Sequence, residues 1–133
     1  MSGLKDPTMM LLERSLTASL HRQNLITANV ANLDTPNFTP SDLDFSQVLA
    51  DMEGRQLKGV RRTHDAHQSP REGVMEAATE KRPDVAPGLD GNSVDLDAQM
   101  GRMAQNGIFY QANTQAISRK LAVLKYVVTE GGM

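Results

Sequence analysis

Residues 28–38 read ANVANLDTPNF. Asn29 and Asn32 stand three apart, on one side of any helix that contains them, and Asp34, Thr35 and Pro36 follow directly. A residue before proline is pushed out of the α region, so a helix arriving from the N-terminal side stops here. The composition of that helix end is unusual. Eleven residues carry one charge, Asp34, among amides, hydroxyls and alanines. A solvated helix end normally carries Lys or Glu, and a catalytic loop carries a nucleophile, a base or a ligand. This stretch does neither.

The helix that ends there is predicted over 7–33. Asp6 can accept from exposed amides of a first turn, and Pro7 suits the first helical position. Apolar residues recur at three-four spacing: Met9, Leu12, Leu16, Ile26, Val30 and Leu33. Ser19 and Gln23 interrupt the stripe, with Leu20 beside it. About 26 residues at 1.5 Å each span roughly 40 Å.

A second long helix is predicted over 93–130. Asn92 or Ser93 can cap it, and Asp95 and Asp97 put negative charge where the helix dipole favours it. Its stripe runs Leu96, Met100, Met103, Gly107, Tyr110, Thr114, Ile117, Leu121, Leu124 and Val128. Spacings of four and three over that length read as a coiled-coil seam, closing against Leu12, Leu16, Ile26 and Val30. Arg119, Lys120 and Lys125 lie towards the end that favours cations, and Gly131 and Gly132 stop the helix.

The segment between the two helices differs. Residues 34–92 hold five of the six prolines and five of the ten glycines, with few apolar side chains. Strands are conceivable at 57–60 and 74–77, and much of 61–90 has the composition of chain that is mobile in isolation. The expected architecture is all-α dominated: two long terminal helices packed as a coiled-coil-like pair, joined by an irregular middle with at most a short β-hairpin. The parts are 1–36, 37–91 and 92–133, the first and last forming one discontinuous domain.

Neither helix is charged along much of its length: no charged residue falls between Gln23 and Leu33, nor between Met103 and Ser118. The faces away from the seam carry Asn24, Thr27, Asn29, Ala31 and Asn32, and Gln105, Asn106, Gln111, Asn113 and Gln115. Such faces can be buried without desolvating a charge. They suit a helix pair surrounded by other helices, although the polar, uncharged exterior of a monomeric hairpin would read the same way.

Composition narrows the function class. The chain has 133 residues, 4% aromatic, with no Trp and no Cys, and a formal net charge of −2. Few aromatics mean a thin core. Scattered basic residues argue against nucleic acid as a partner, and the absence of cysteine removes disulfides and thiol chemistry. No apolar run is long enough to cross a bilayer, and the patch at 8–12 is too short for a cleavable signal peptide. His64 and His67, flanking Asp65, are a weak metal signal because they lack a helical scaffold. Asp90, Asp95 and Asp97 lack the spacing of a calcium loop. No phosphate loop, dinucleotide fingerprint or Gly-x-Ser-x-Gly occurs, so no enzyme and no cofactor is expected.

ANVANLDTPNF resembles the N-terminal signature of the flagellar axial proteins, the rod, hook and hook-associated family, of the form Ala-Asn-x-x-Asn-x-x-Thr-Pro-Gly-Tyr. Ala28, Asn29, Asn32, Thr35 and Pro36 match in register; Asn37 stands for the glycine and Phe38 for the tyrosine. Asparagine enters the left-handed region readily, and phenylalanine keeps the ring without the hydroxyl. DLDF at 42–45, DGNSVDLDAQM at 90–100 and YQANTQAISRKLAVLKYVV at 110–128 are similar to proximal-rod members of the family. The resemblance implies a structural subunit of the basal-body rod, part of the axial tube that transmits torque and forms the export channel. It implies export by the flagellar type III apparatus without a cleaved signal, assembly in the periplasmic space, and folding coupled to binding. Its partners would be itself and other rod subunits, the rod-base adaptor, the membrane ring and the export gate. In that setting Asn29 and Asn32 would bond near the turn, Thr35 and Pro36 would redirect the chain, and Phe38 would anchor its exit. A soluble helical adaptor or export-chaperone-like module is the competing class.

Overall fold

The structure is a computed structural model that describes residues 6–56 and 70–130. Helix α1 spans Pro7–Ala31, strand β1 Ser41–Leu43, helix α2 Phe45–Gln56, helix α3 Pro70–Ala77, strand β2 Thr79–Lys81 and helix α4 Leu96–Glu130. The fold is helix-dominated, with long helices at both ends and one small antiparallel sheet between them. The residues expected as a metal pair, His64 and His67, and the expected strand at 57–60 lie outside the described residues.

Local chemistry sets the helix ends. Asp6 accepts from the Thr8 amide at 3.0 Å, and Pro7 occupies the first helical position. At the other end Asn32 is the C-cap; its amide reaches the carbonyls of Ala28 and Asn29. Turns then carry the chain to Pro36, and Asn37 adopts a φ of 59°, the left-handed conformation expected of it. α4 begins at Leu96 rather than 93. Asp95 is the residue that caps it, accepting from the Asp97 amide at 2.9 Å. Asn92 and Ser93 precede the helix and are buried elsewhere, as described below.

In the middle segment, residues 74–77 belong to α3 and do not form a strand. β1 and β2 pair antiparallel with Ser41 opposite Lys81 and Leu43 opposite Thr79, although 35 residues separate them and two helices intervene. Within DLDF, Asp44 caps α2 through the Ser46 amide at 2.8 Å, and Phe45 opens the helix.

α1 has one face towards this middle segment and another towards α4. The apolar core is on the first: Ala18, Leu43, Val48, Met75 and Ala78, with Leu25 and Phe45 packed against it. The oil of this fold therefore lies between α1 and its insert. α1 and α4 run antiparallel, since Asn29 meets Gln99, Ser19 meets Asn106, and Asp6 meets Lys120. At 1.5 Å per residue α4 is roughly 52 Å long and α1 roughly 38 Å. The last ten residues of α4 thus run beyond the start of α1.

Candidate assembly interface

The amides of the opening motif are placed by the fold. Asn29, 2% exposed, makes a two-point bond with the backbone of Ser41: its Nδ2 donates to the carbonyl at 2.7 Å and its Oδ1 accepts from the amide at 3.0 Å. The same Nδ2 also reaches Gln99 Oε1 on α4 at 3.1 Å. One side chain in α1 therefore holds both β1 and α4. Asn32 Nδ2 donates to the Ala28 carbonyl, while its Oδ1 accepts from the Thr35 hydroxyl at 3.1 Å.

The second motif, DGNSVDLD, docks directly on the first. Asn92 Nδ2 points at three carbonyls past the end of α1: Asn32 at 3.0 Å, Leu33 at 2.9 Å and Thr35 at 2.7 Å. Orphan carbonyls at a helix end need such a donor. Asn92 thus caps α1 instead of α4. Its Oδ1 meanwhile accepts from the Val94 amide. Ser93 donates its amide to the Phe38 carbonyl at 3.1 Å, and Asn37 donates to the Asp90 carbonyl at 2.9 Å. Gly91, with φ of 77°, passes so close to Asn37 that a Cβ there would collide with its Oδ1. Phe38 is half-buried, with the Lys81 ammonium 5.3 Å from its ring centre. Pro36 and Thr35 are exposed at the turn.

A buried ionic network, with no sequence signal of its own, extends from this joint. Arg22 on α1 grips Asp42 on β1 with two bonds of 2.8 and 2.9 Å. Arg102 on α4 lies 3.9 Å from Asp42 and 2.6 Å from Asp84. Asp84 accepts from Gln99 Nε2 at 2.7 Å and from the Asp95 amide at 3.0 Å, so its charge sits at the positive end of α4. Burial pushes the Asp42 carboxyl up, but the Arg22 bonds, the Leu43 amide and the charges of Arg22 and Arg102 outweigh it and hold it below its ordinary value. Arg22 also lies 5.6 Å from the ring centre of Phe45, which meets Phe109 of α4 edge-on at 5.4 Å.

Between α1 and α4 the packing line is made of amides. Gln99 and Asn106 are buried, and Asn113 and Lys120 continue at the same seven-residue interval, half-buried. Asn106 Nδ2 donates to the Ser19 carbonyl and to Gln23 Oε1, both at 3.0 Å. Lys120 closes the line on Asp6 at 2.6 Å. Of the expected seam, Ile26 is buried and Leu12, Leu16, Val30, Met103 and Ile117 are half-buried. Leu96, Met100, Tyr110, Leu121, Leu124 and Val128 are exposed. The residues facing α1 are thus offset by one position from the line of Met100, Gly107, Thr114, Leu121 and Val128. One position is about 100° of helix rotation, which turns that aliphatic line away from α1. Hydrogen-bonding demand explains the choice: Asn29, Gln23 and the Ser19 carbonyl on α1 are satisfied by amides, and a Leu or Met opposite them would leave them unpaired.

Comparison with known proteins agrees with this geometry. The family model described as "Flagella basal body rod protein" matches residues 12–39, most of α1 and the turn that Asn92 ties down. The flagellar basal body rod protein FlgB of Bacillus subtilis (strain 168) is 33% identical over 129 residues, 97% of this chain and 98% of that protein. FlgB of Salmonella typhimurium is 31% identical over 133 residues, and FlgB of Escherichia coli (strain K12) 30% over 134, each covering 95% of this chain and 96% of the relative. Similarity that runs nearly end to end in both partners covers α1, the insert and α4 alike, and on it the chain belongs to the FlgB family of flagellar basal body rod proteins.

Proposed function

We propose that this chain is a structural subunit of the flagellar rod that polymerises through its two terminal helices. The observation that carries the reading is the outward aliphatic line of α4. Met100 is 52% exposed, Leu121 50% and Val128 80%, on a helix with no charge from 104 to 117. Large apolar side chains exposed along one uncharged helix are normal for a subunit of an assembly and unusual for a free monomer. The amide network supplies the complementary property. It fixes the angle and register of α1 and α4 within one subunit, so that their outer faces meet neighbours as a rigid pair.

On this reading residues 1–36 and 92–133 form the axial core, and 37–91 is an insert that packs on α1 and is tied to α4 through Asp84. The axial-family motif of Ala28, Asn29, Asn32, Thr35, Pro36 and Phe38 is the intramolecular joint, and the seam residues left exposed are contacts to other subunits. The rod-base adaptor, the membrane ring and the export gate are its further neighbours, reached after export through the flagellar type III apparatus. No helix among the described residues is long and apolar enough to cross a membrane, which accords with a subunit held by protein contacts. The deciding experiment is fractionation of a motile cell carrying a tagged copy. The tag is expected with detergent-extracted basal bodies; a tag confined to the soluble cytoplasmic fraction would instead support the adaptor reading.

A further inference from the structure

The turn that leads into α4 holds an apolar side chain in water. Leu89 is 113% exposed, the highest value of any large apolar side chain among the described residues. It sits at a central position of a β-turn over 88–91, closed by the Gly91 amide on the Gly88 carbonyl at 3.0 Å. The Gly88 amide donates to the Asn92 carbonyl at 3.0 Å and closes the base of the loop. The turn is also clamped to the end of α1: the Asn37 amide bonds the Asp90 carbonyl at 2.9 Å, and Gly91 lies against the Asn37 side chain. Leu89 is therefore presented on a fixed tip, and a group already ordered loses little freedom on binding. The stretch 85–89, VAPGL, carries no charge. The amides of Leu89 and Asp90 donate to no group among the described residues.

The same chain carries a hollow of matching chemistry. α1 and α4 leave a groove between them of about 360 Å³, where Leu20 and Gln23 face Met103, Gly107, Tyr110 and Gln111. Its floor is fixed, because Asn106 Nδ2 donates to the Ser19 carbonyl and to Gln23 Oε1. Its wall is open at Gly107, where a Cβ would meet no atom within 4 Å. Leu20 is 54% exposed beside it. No charged side chain lines the groove, so an uncharged tip enters without desolvating an ion. Gln111 is exposed and bonds nothing among the described residues, which leaves its carboxamide oxygen free to accept from an amide.

We infer that Leu89 of one copy seats in the groove beside Gly107 of a second copy of this chain. Leu20, Met103 and Tyr110 then cover the leucine, and the Leu89 and Asp90 amides supply donors to Gln111. Within one chain the two do not meet: Leu89 is fully solvated, and Gly107 lies roughly 16 Å along α4 from Leu96. Two different patches make a head-to-tail contact, and such a contact propagates as an open helical assembly when its rotation does not close a ring. The inference rests on the proposed rod function and specifies which surfaces of two copies meet.

The chain has no cysteine, so introduced thiols test the contact directly. Leu89→Cys and Gly107→Cys copies, differently tagged, are expressed together in a motile host lacking its own copy, and extracted basal bodies are oxidised. A disulfide needs Cα atoms within about 7 Å, so it reports contact and not mere proximity. The expected product is a mixed dimer carrying both tags, at least tenfold above either same-tag dimer. Gln111→Cys, on the same wall, replaces Gly107→Cys if the latter does not assemble. In a separate strain, Leu89→Asp should leave the unfolding midpoint of the purified chain unchanged and lower its incorporation into basal bodies at least tenfold. Both cysteine variants present in basal bodies without the mixed dimer, or Leu89→Asp incorporated like wild type, overturn the inference while leaving the rod reading intact. A wild-type chain absent from basal bodies would overturn the rod reading, and this inference with it.

Discussion

Asn29 shows how much of this fold depends on single amides. Its carboxamide completes the backbone bonding of Ser41 and reaches Gln99. Asn29→Ala would strand the Ser41 amide and carbonyl, and we expect a loss of roughly 3 kcal/mol in urea unfolding with the m-value unchanged. The turn gives a second expectation. Gly91→Ala combines a positive φ with a collision against Asn37, so it should cost at least about 1–2 kcal/mol, whereas Asn37→Gly should change stability by less than about 1 kcal/mol. Asp42 gives a third. Its folded pKa lies below the ordinary 3.8. A depressed acid stabilises the fold at any pH above its unfolded value, and that stabilisation is lost as the pH falls through the folded value. The acid limb of stability below pH 3.8 should therefore flatten in Asp42→Asn. That variant leaves Arg22 buried opposite a neutral amide and should also cost about 3 kcal/mol at pH 7. Chemical unfolding at a series of pH values checks both effects.

At the scale of the element, α4 carries two heptad lines with different duties. Gln99, Asn106, Asn113 and Lys120 serve α1 within the subunit, and Met100, Thr114, Leu121 and Val128 are exposed. A substitution on the outward line should therefore separate assembly from folding. Leu121→Asp places a charge on a residue already half in water, so the purified chain should keep its helicity and its midpoint to within about 0.5 kcal/mol. In the assembled state the same carboxylate would be buried without a partner, and motility and incorporation into basal bodies should be lost. Circular dichroism and a swim-plate assay read the two effects apart. A collapse of helicity in the purified variant would instead make Leu121 part of the subunit's own core.

At the scale of the whole molecule, the antiparallel pair is uneven in length, and the difference sets local stability. Between Gln99 and Lys120 one line of α4 is held against α1, by Gln99, Asn106 and Lys120 among others, while the side chains of 121–129 are all exposed. Hydrogen exchange on the purified chain should therefore show strong protection over 99–117 and protection at least tenfold weaker over 121–129. In isolated basal bodies the two segments should be comparably protected, because neighbouring subunits then pack on the exposed end of α4. Equal protection in the dilute chain would mean that the end of α4 is already covered within one subunit.

The sequence by itself determined the two long helices, the start and stop of the first, and the motif that follows it. Three-four spacing, Asp6 with Pro7, and the Thr35-Pro36 break act within a few residues, and local rules read them. It also determined that Asn37 could replace a glycine, since left-handed backbone is a property of one residue. Only the tertiary structure decided which face of α4 meets α1. The aliphatic line is the stronger pattern in the sequence, yet the amide line wins because its partners, Asn29, Gln23 and the Ser19 carbonyl, lie 70 to 87 residues away in the chain. Asn92 was legible as a cap, but not as the cap of the other helix, for the same reason. Asp84 sits in a loop with no periodicity at all, and its role exists only because folding brings Gln99 and Arg102 to it. Apolar burial is graded and can be read from one helix alone, whereas a hydrogen bond needs both ends, and here the second end is always somewhere else.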